Sequence, residues 1–161
     1  MVISFERAGM PSSSDVENIN RLLIQLAKKG TAHKKTDGTK LVRTVTASYF
    51  YVARDKSKRD QNGLGKIIGM ACLSVCPPPS GWYGIIDDVV VDENGYLRQG
   101  IAAQLMQKLI KQAKKLGLKR IDLHSHPSRS SANKMYLKLG FEMVVEGDAE
   151  KDTSNQYRLR L

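Results

Sequence analysis

The chain has 161 residues, 41% of them apolar and 26% charged, close to ordinary globular usage of about 45–50% and 25%. That excludes collagen-like, low-complexity and disordered chains, and the length fits one domain over 1–161. Twenty-six Lys and Arg against sixteen Asp and Glu leave +10, a balance that bears on partners and solubility and not on fold.

A domain of about 150 residues buries roughly 68–70% of its unfolded surface, so neither a metal nor a disulfide is needed for folding. The two cysteines, Cys72 and Cys76, lie four apart in an apolar strand-like run. That spacing is too long for a bond within a strand, so both read as reduced, buried small hydrophobes. A reducing, cytoplasmic location fits. Met1–Arg7 carries charges where the apolar core of a secretory leader belongs. No apolar run approaches the roughly 18 residues of a membrane span, so a soluble protein is expected.

Residues 2–7 read as a first strand. Pro11-Ser12-Ser13-Ser14-Asp15 is a helix-start cluster. Val16, Ile19, Leu22, Leu23 and Leu26 follow at helical spacing, toward a stop near Lys29-Gly30. Residues 30–40 read as a basic loop, and Leu41–Thr46 is compatible with either helix or strand. Tyr49–Ala53 reads as a strand, Arg54–Gly65 as a basic connection with the hairpin signal Asn62-Gly63, and Lys66–Cys76 as the returning strand. Trp82–Val91 makes a third consecutive strand, closed by the turn Asp92-Glu93-Asn94-Gly95.

A long helix begins near Ile101. Ile101, Leu105, Leu109, Ala113 and Leu116 form its apolar stripe, flanked by Met106 and Ile110, and Gln104, Lys108, Lys111 and Lys115 its opposite face. Gly117 stops it. Ile121–Leu123 starts another strand, ended by Pro127. Ser130 or Ser131 is placed to cap a short helix through Leu139, closed by Gly140. Phe141–Val145 and Gln156–Leu161 are terminal strands. The order β-α-β-β-β-α-β-α-β-β contains an antiparallel meander and one parallel crossover over 85–124. The fold class is α+β (mixed α/β): three layers, a mixed, mostly antiparallel sheet of about seven strands with helices on both faces.

The most informative segment is Val89–Leu105, a β-branched strand running through a turn into a helix whose first turn holds Gly100 and Ala102. The first N–H groups of a helix lack internal partners and carry about half a positive charge. Gly and Ala let oxygen atoms approach that backbone closely. There is no Gly-x-Gly-x-x-Gly after a parallel unit and no Gly-x-x-x-x-Gly-Lys-Ser/Thr, so neither a dinucleotide fingerprint nor a triphosphatase loop is present.

Leu97-Arg98-Gln99-Gly100-Ile101-Ala102 resembles the acyl-CoA pyrophosphate loop of the GNAT superfamily of N-acetyltransferases, Arg/Gln-x-x-Gly-x-Gly/Ala. Ile86-Asp87-Asp88-Val89-Val90-Val91 resembles that family's fourth strand. Ala132-Asn133-Lys134-Met135-Tyr136-Leu137-Lys138-Leu139-Gly140-Phe141-Glu142 is similar to its last helix and following strand. Three motifs in order cover roughly residues 45–145. The chain departs from the pattern in three places. Leu97 stands where Arg or Gln is common, Tyr96 lies one residue further from Val91 than in the commonest form, and Arg129 replaces a frequent Asn.

The resemblance implies a three-layer GNAT-like fold with acetyl-CoA as co-substrate and no metal. It implies that the fourth and fifth strands part, so that Val89, Val90 and Val91 offer unpaired backbone groups to the pantetheine arm, and that an N–H near Val90 polarises the thioester carbonyl. Leu97, Arg98, Gln99, Gly100, Ile101 and Ala102 would take the pyrophosphate, with Arg98 supplying charge. Arg129 and Lys134 would meet the 3′-phosphate, with Asn133 and Tyr136 also on the cofactor. Tyr136 would act as the acid. A lysine-like acceptor is neutral in only about one molecule per thousand near pH 7, so a base is useful. Asp87 and Asp88 are candidates. Strand alternation would turn only one of the two into a cleft. His124 is a rival with a suitable titration range. Asp122, His124 and His126 alternate as metal ligands could, but Pro127 follows and no fourth ligand is evident.

Positive charge is uneven. Residues 28–66 hold eleven Lys and Arg against three acids, and 98–120 hold seven against none. Such a surface would steer the phosphates of CoA. A basic nucleic-acid-binding module is the alternative from another class, opposed by the lack of an interleaved aromatic–basic pattern. A GNAT-like protein that binds acyl-CoA without transferring it is a third reading. The acceptor, a small-molecule or protein amine, and the choice between monomer and homodimer stay open.

Overall fold

A computed structural model of the protein describes residues 1–27, 35–60, 63–79 and 81–161. The expected stop at Lys29-Gly30 and the Asn62 half of the hairpin signal lie outside the described residues. Seven strands form one sheet in the order β1-β2-β3-β4-β5-β7-β6, accompanied by four helices. The chain divides into two compact units, residues 1–72 with 88–109, and residues 73–87 with 110–161. Strands β3 (Gly65–Cys76) and β4 (Tyr83–Val91) and helix α3 (Ile101–Lys115) each contribute to both.

In the first unit, β1 (Ile3–Arg7) pairs antiparallel with β2 (Tyr49–Arg59), from Ile3↔Asp55 to Arg7↔Tyr51. Helix α1 (Ser13–Leu26) starts on a capping box: the Ser12 hydroxyl accepts from the Asp15 N–H at 3.2 Å, and the Asp15 carboxylate accepts from the Ser12 N–H at 3.0 Å. This satisfies two of the donors that a helix start leaves open. The ambiguous Leu41–Thr46 belongs to a second helix, α2 (Gly38–Ala47), whose N-cap Asp37 accepts from Lys40 N–H at 2.8 Å. Its β-branched residues favour strand locally. Leu41 and Val45, one turn apart, settle the choice by packing with Ile19, Leu22, Phe50, Val52, Ile67 and Met70. The basic stretch after Ala53 is also no loop, because β2 continues to Arg59. Its inner side holds Arg54, whose guanidinium meets Asp15 and Glu6 at 2.8 Å and the Gly65 carbonyl at 2.9 Å. A buried guanidinium is tolerable only with such partners.

In the second unit, β4 runs parallel to β5 (Arg120–Ser125) in the register Gly84↔Ile121 to Ile86↔Leu123. Strand β5 pairs antiparallel with β7 (Asn155–Arg160) over six positions, and β6 (Glu142–Val145) lies against the far side of β7. Helix α4 (Ser130–Lys138) departs from expectation at its start: the N-cap is Arg129, which makes no side-chain cap bond, and Ser130 is already helical. Along α3, Ile101, Leu105, Met106, Leu109 and Ala113 are buried, while Gln104, Lys108, Lys111 and Lys115 are exposed. Leu105→Ala would cost roughly 2–5 kcal/mol. Cys72 is buried and Cys76 half-buried, both as free thiols.

Candidate active site

The first unit carries Asp88, Val89–Val91 and Leu97–Ala102; the second carries Asp87, His124, Arg129, Asn133, Lys134 and Tyr136. In β4 the burial alternates through Ile86, then breaks. Asp87 and Asp88 are both exposed and Val89, Val90 and Val91 are all half-buried. The cause is Asp88, whose φ of 52° is left-handed. A left-handed residue interrupts the regular pleat at the two aspartates. The parallel register with β5 stops at Ile86, leaving Asp87–Val91 beyond it.

The turn after β4 is held from below. Asp92 is 0% exposed. Its carboxylate takes the Arg21 guanidinium, the Gln25 amide at 3.1 Å, the Asn94 side-chain amide at 2.9 Å and the Asn94 N–H at 3.1 Å, with the Lys66 ammonium 3.6 Å away. Burial alone would raise its pKa. The donors of Gln25, Asn94 and Arg21 outweigh that and hold the carboxyl far below the usual range. Four residues on, Tyr96 is again buried, and its hydroxyl donates to Asp55 Oδ2 at 2.8 Å.

Leu97, Arg98, Gln99 and Gly100 are all exposed. Arg98 has φ 60° and Gly100 φ 72°, so two left-handed residues turn this backbone outward before Ile101. Successive N–H groups in such turns make anion-binding concavities. A Cβ built on Gly100 meets nothing within 4 Å, so glycine serves conformation here and leaves the space open. The first turn of α3 holds no acidic residue. Beneath it, Gly69 on β3 allows the close approach, since a Cβ there would lie 3.2 Å from the Val90 carbonyl oxygen and 3.3 Å from Ile101.

In the second unit Tyr136 is 5% exposed. Its ring sits 6.1 Å from Phe141 and 5.6 Å from Tyr157, edge-on and tilted. Burial pushes its pKa up to about 12, against the pull of the Arg129 charge. His124 is exposed, opposite Gln156 in β7. Alternation along β5 puts it on the other sheet face from Leu123, which lies opposite Tyr157 and so beside Tyr136. The Asn133 amide donates to the carbonyls of His126 and Pro127, both at 3.2 Å, and so secures the end of β5. Arg129 is half-buried and Lys134 exposed. Asp122 is engaged by Arg158 at 2.7 Å and Arg120 at 3.0 Å, and His126 by Ser128 at 2.7 Å. Among the described residues no group of three His, Cys, Asp or Glu is placed to hold a metal, and no helix is long and apolar enough to cross a membrane.

Sequence reasoning took Asp92 only as a turn residue and gave Asp55 no part. Their roles depend on Arg21 and Tyr96, 71 and 41 residues away, and no local pattern signals them.

A mixed seven-stranded sheet, with an outward-turned glycine loop between its parallel strands, is the architecture of acyltransferases of the GNAT type. Residues 23–141 match the acetyltransferase (GNAT) family, and the chain belongs to it. It is 28% identical over 95 residues to the chloroplastic GCN5-related N-acetyltransferase 6 of Arabidopsis thaliana, a stretch that is 59% of this chain but only 33% of that protein. Its fold is similar to a chain of the NatC complex bound to Gag peptide and CoA, with a TM-score of 0.79 at 17% identity over 100% of this chain and 99% of that one. The PaiA N-acetyltransferase of Thermoplasma acidophilum, solved with coenzyme A, matches with a TM-score of 0.74 at 17% identity over the whole of both chains.

Proposed function

We propose that this protein transfers the acetyl group of acetyl-CoA to a primary amine by direct attack in a ternary complex, all 161 residues serving as one catalytic domain in the cytoplasm. The observation that carries this reading is the exposed loop of Leu97–Gly100, left-handed at Arg98 and Gly100 and leading into an acid-free helix start. A pyrophosphate fits such a donor set. Leu97, Arg98, Gln99, Gly100, Ile101 and Ala102 receive it, and the backbone of Val89–Val91 receives the pantetheine arm. Arg129, Asn133 and Lys134 serve the cofactor's phosphates and arm.

The acceptor nitrogen attacks the thioester carbonyl carbon, and its proton passes to Asp87 or Asp88, directly or through water; His124, on the sheet face away from Tyr136, could take it only through a water chain around the strand end. The Val90 N–H stabilises the oxyanion. As the carbon–sulfur bond breaks, the electron pair stays on sulfur and Tyr136 donates to it. A hydroxyl with a pKa of about 12 keeps its proton at neutral pH. Full transfer to a thiolate of reference pKa about 8.5 runs uphill, so the stabilisation comes from the hydrogen bond to the developing charge. A thiol-release assay with acetyl-CoA over amine libraries tests the reading. Release that depends on one amine class supports it. CoA binding without release for any amine leaves the non-transferring alternative, and nucleic-acid binding that weakens linearly in log salt, with no CoA binding, replaces it.

A further inference from the structure

We propose that Tyr96 is a positioning residue of the acyl-CoA loop: its hydroxyl, bonded to the buried Asp55 carboxylate, ties the loop to β2 and holds the backbone of Leu97–Ala102 in its phosphate-receiving shape. The inference rests on the reading of that loop as the acyl-CoA site. Between Asp92 and Ile101 the chain is exposed everywhere except at Tyr96, which is 3% exposed. Tyr96 is thus the buried side chain of this stretch, beside the Gln99 amide bond to the Gly95 carbonyl at 2.7 Å and the Glu93 N–H bond to Gln25 at 3.0 Å. Leu97, which follows Tyr96, is 53% exposed and contributes no apolar anchor.

An anchor is needed because Arg98, a non-glycine residue with φ 60°, lies two positions from Tyr96. Such conformations persist only where the surroundings over-determine them. The Asp55 side supplies a rigid partner. It is 2% exposed, on β2, and also takes the Ser57 hydroxyl at 2.6 Å and the Ser57 N–H at 3.0 Å. Above the tyrosine ring lies the Lys58 ammonium, 5.4 Å from its centroid.

Isothermal titration with CoA, combined with hydrogen exchange of the loop amides in the free protein, tests this. Tyr96→Phe keeps the ring and removes the bond; it should raise the CoA Kd about 10-fold and speed exchange at 97–102, with a modest fall in the thermal midpoint from the lost buried bond. Asp55→Asn keeps an acceptor oxygen and should stay within about 3-fold of the parent. Asp55→Ala should match Tyr96→Phe, and the double variant should be no worse than either. Parent-like CoA binding by Tyr96→Phe would overturn the proposal, as would a lowered midpoint with unchanged Kd. Failure of the unaltered protein to bind CoA would remove the acyl-CoA reading itself. The exchange measurement then still reports whether Tyr96 tethers the loop.

Discussion

Tyr96 and Tyr136 are both almost fully buried, and burial raises the pKa of both. They are held differently. The Tyr96 hydroxyl is committed to a carboxylate 41 residues away in sequence, in a region built from buried charge: Asp92 with Arg21 and Lys66, Asp55 with Ser57. Tyr136 is held by its ring, between Phe141 and Tyr157, and no hydrogen bond of its hydroxyl occurs among the described residues. A committed hydroxyl is a tether. A hydroxyl positioned by ring packing keeps its donor available for a reacting atom. On the proposed function and the proposed tether, the same side chain does mechanical work in one region and chemistry in the other.

The largest expected effect tests the second half of that contrast. Tyr136→Phe preserves the ring packing, so CoA affinity and stability should hold while turnover falls about 10²-fold, the lower end of acid–base contributions. Unchanged thiol release would remove Tyr136 from the chemistry. With its pKa near 12, kcat/KM should rise with pH as base and amine lose protons, with no falling limb from Tyr136 below about pH 11.

Asp92→Asn breaks the tethering side. It leaves Arg21 and Lys66 without their counter-charge and should lower the unfolding free energy by about 2–3 kcal/mol, under the full cost of a sealed pair because both cations are partly exposed. A carboxyl whose pKa is lower folded than unfolded contributes stability above its unfolded value near 3.9 and loses it as pH falls. Stability of the parent should therefore decline on acidification below about pH 4, and Asp92→Asn should flatten that slope in denaturant titrations.

Gly100→Ala places a Cβ on a left-handed residue at a strain of about 1–2 kcal/mol. Since that Cβ meets no protein atom, it also intrudes on the space proposed for the ligand, and CoA Kd should rise about 10-fold in calorimetry. A loss of stability without loss of affinity would mean that the open space receives nothing. The smallest effect is a gain: Leu97→Arg adds a cation near the helix N-terminus proposed to receive the phosphates, and CoA affinity should improve about 2- to 5-fold, with the gain shrinking as salt is raised.

What was legible in the sequence was local. The β-branched run of Val89–Val91, Gly100 ahead of Ile101, and the apolar stripe from Ile101 to Leu116 define a strand, an outward turn and a basic amphipathic helix without reference to the rest of the chain. Their signals lie within one turn or one pleat of each other, and the three motifs in order were enough to identify the family. The tertiary structure decided whatever depends on distant partners. Leu41 and Val45 are helical because a core is waiting for that face, and β2 runs on past Ala53 because β1 pairs with it as far as Asp55 and Asp15 and Glu6 accept Arg54. Asp88 is left-handed at the end of β4, and both aspartates are exposed. Asp92 and Tyr96 acquire their roles from Arg21 and Asp55. Periodicity records which face of an element is apolar; it carries no record of which buried donor will meet which buried acceptor, because that pairing exists only once the chain has closed on itself.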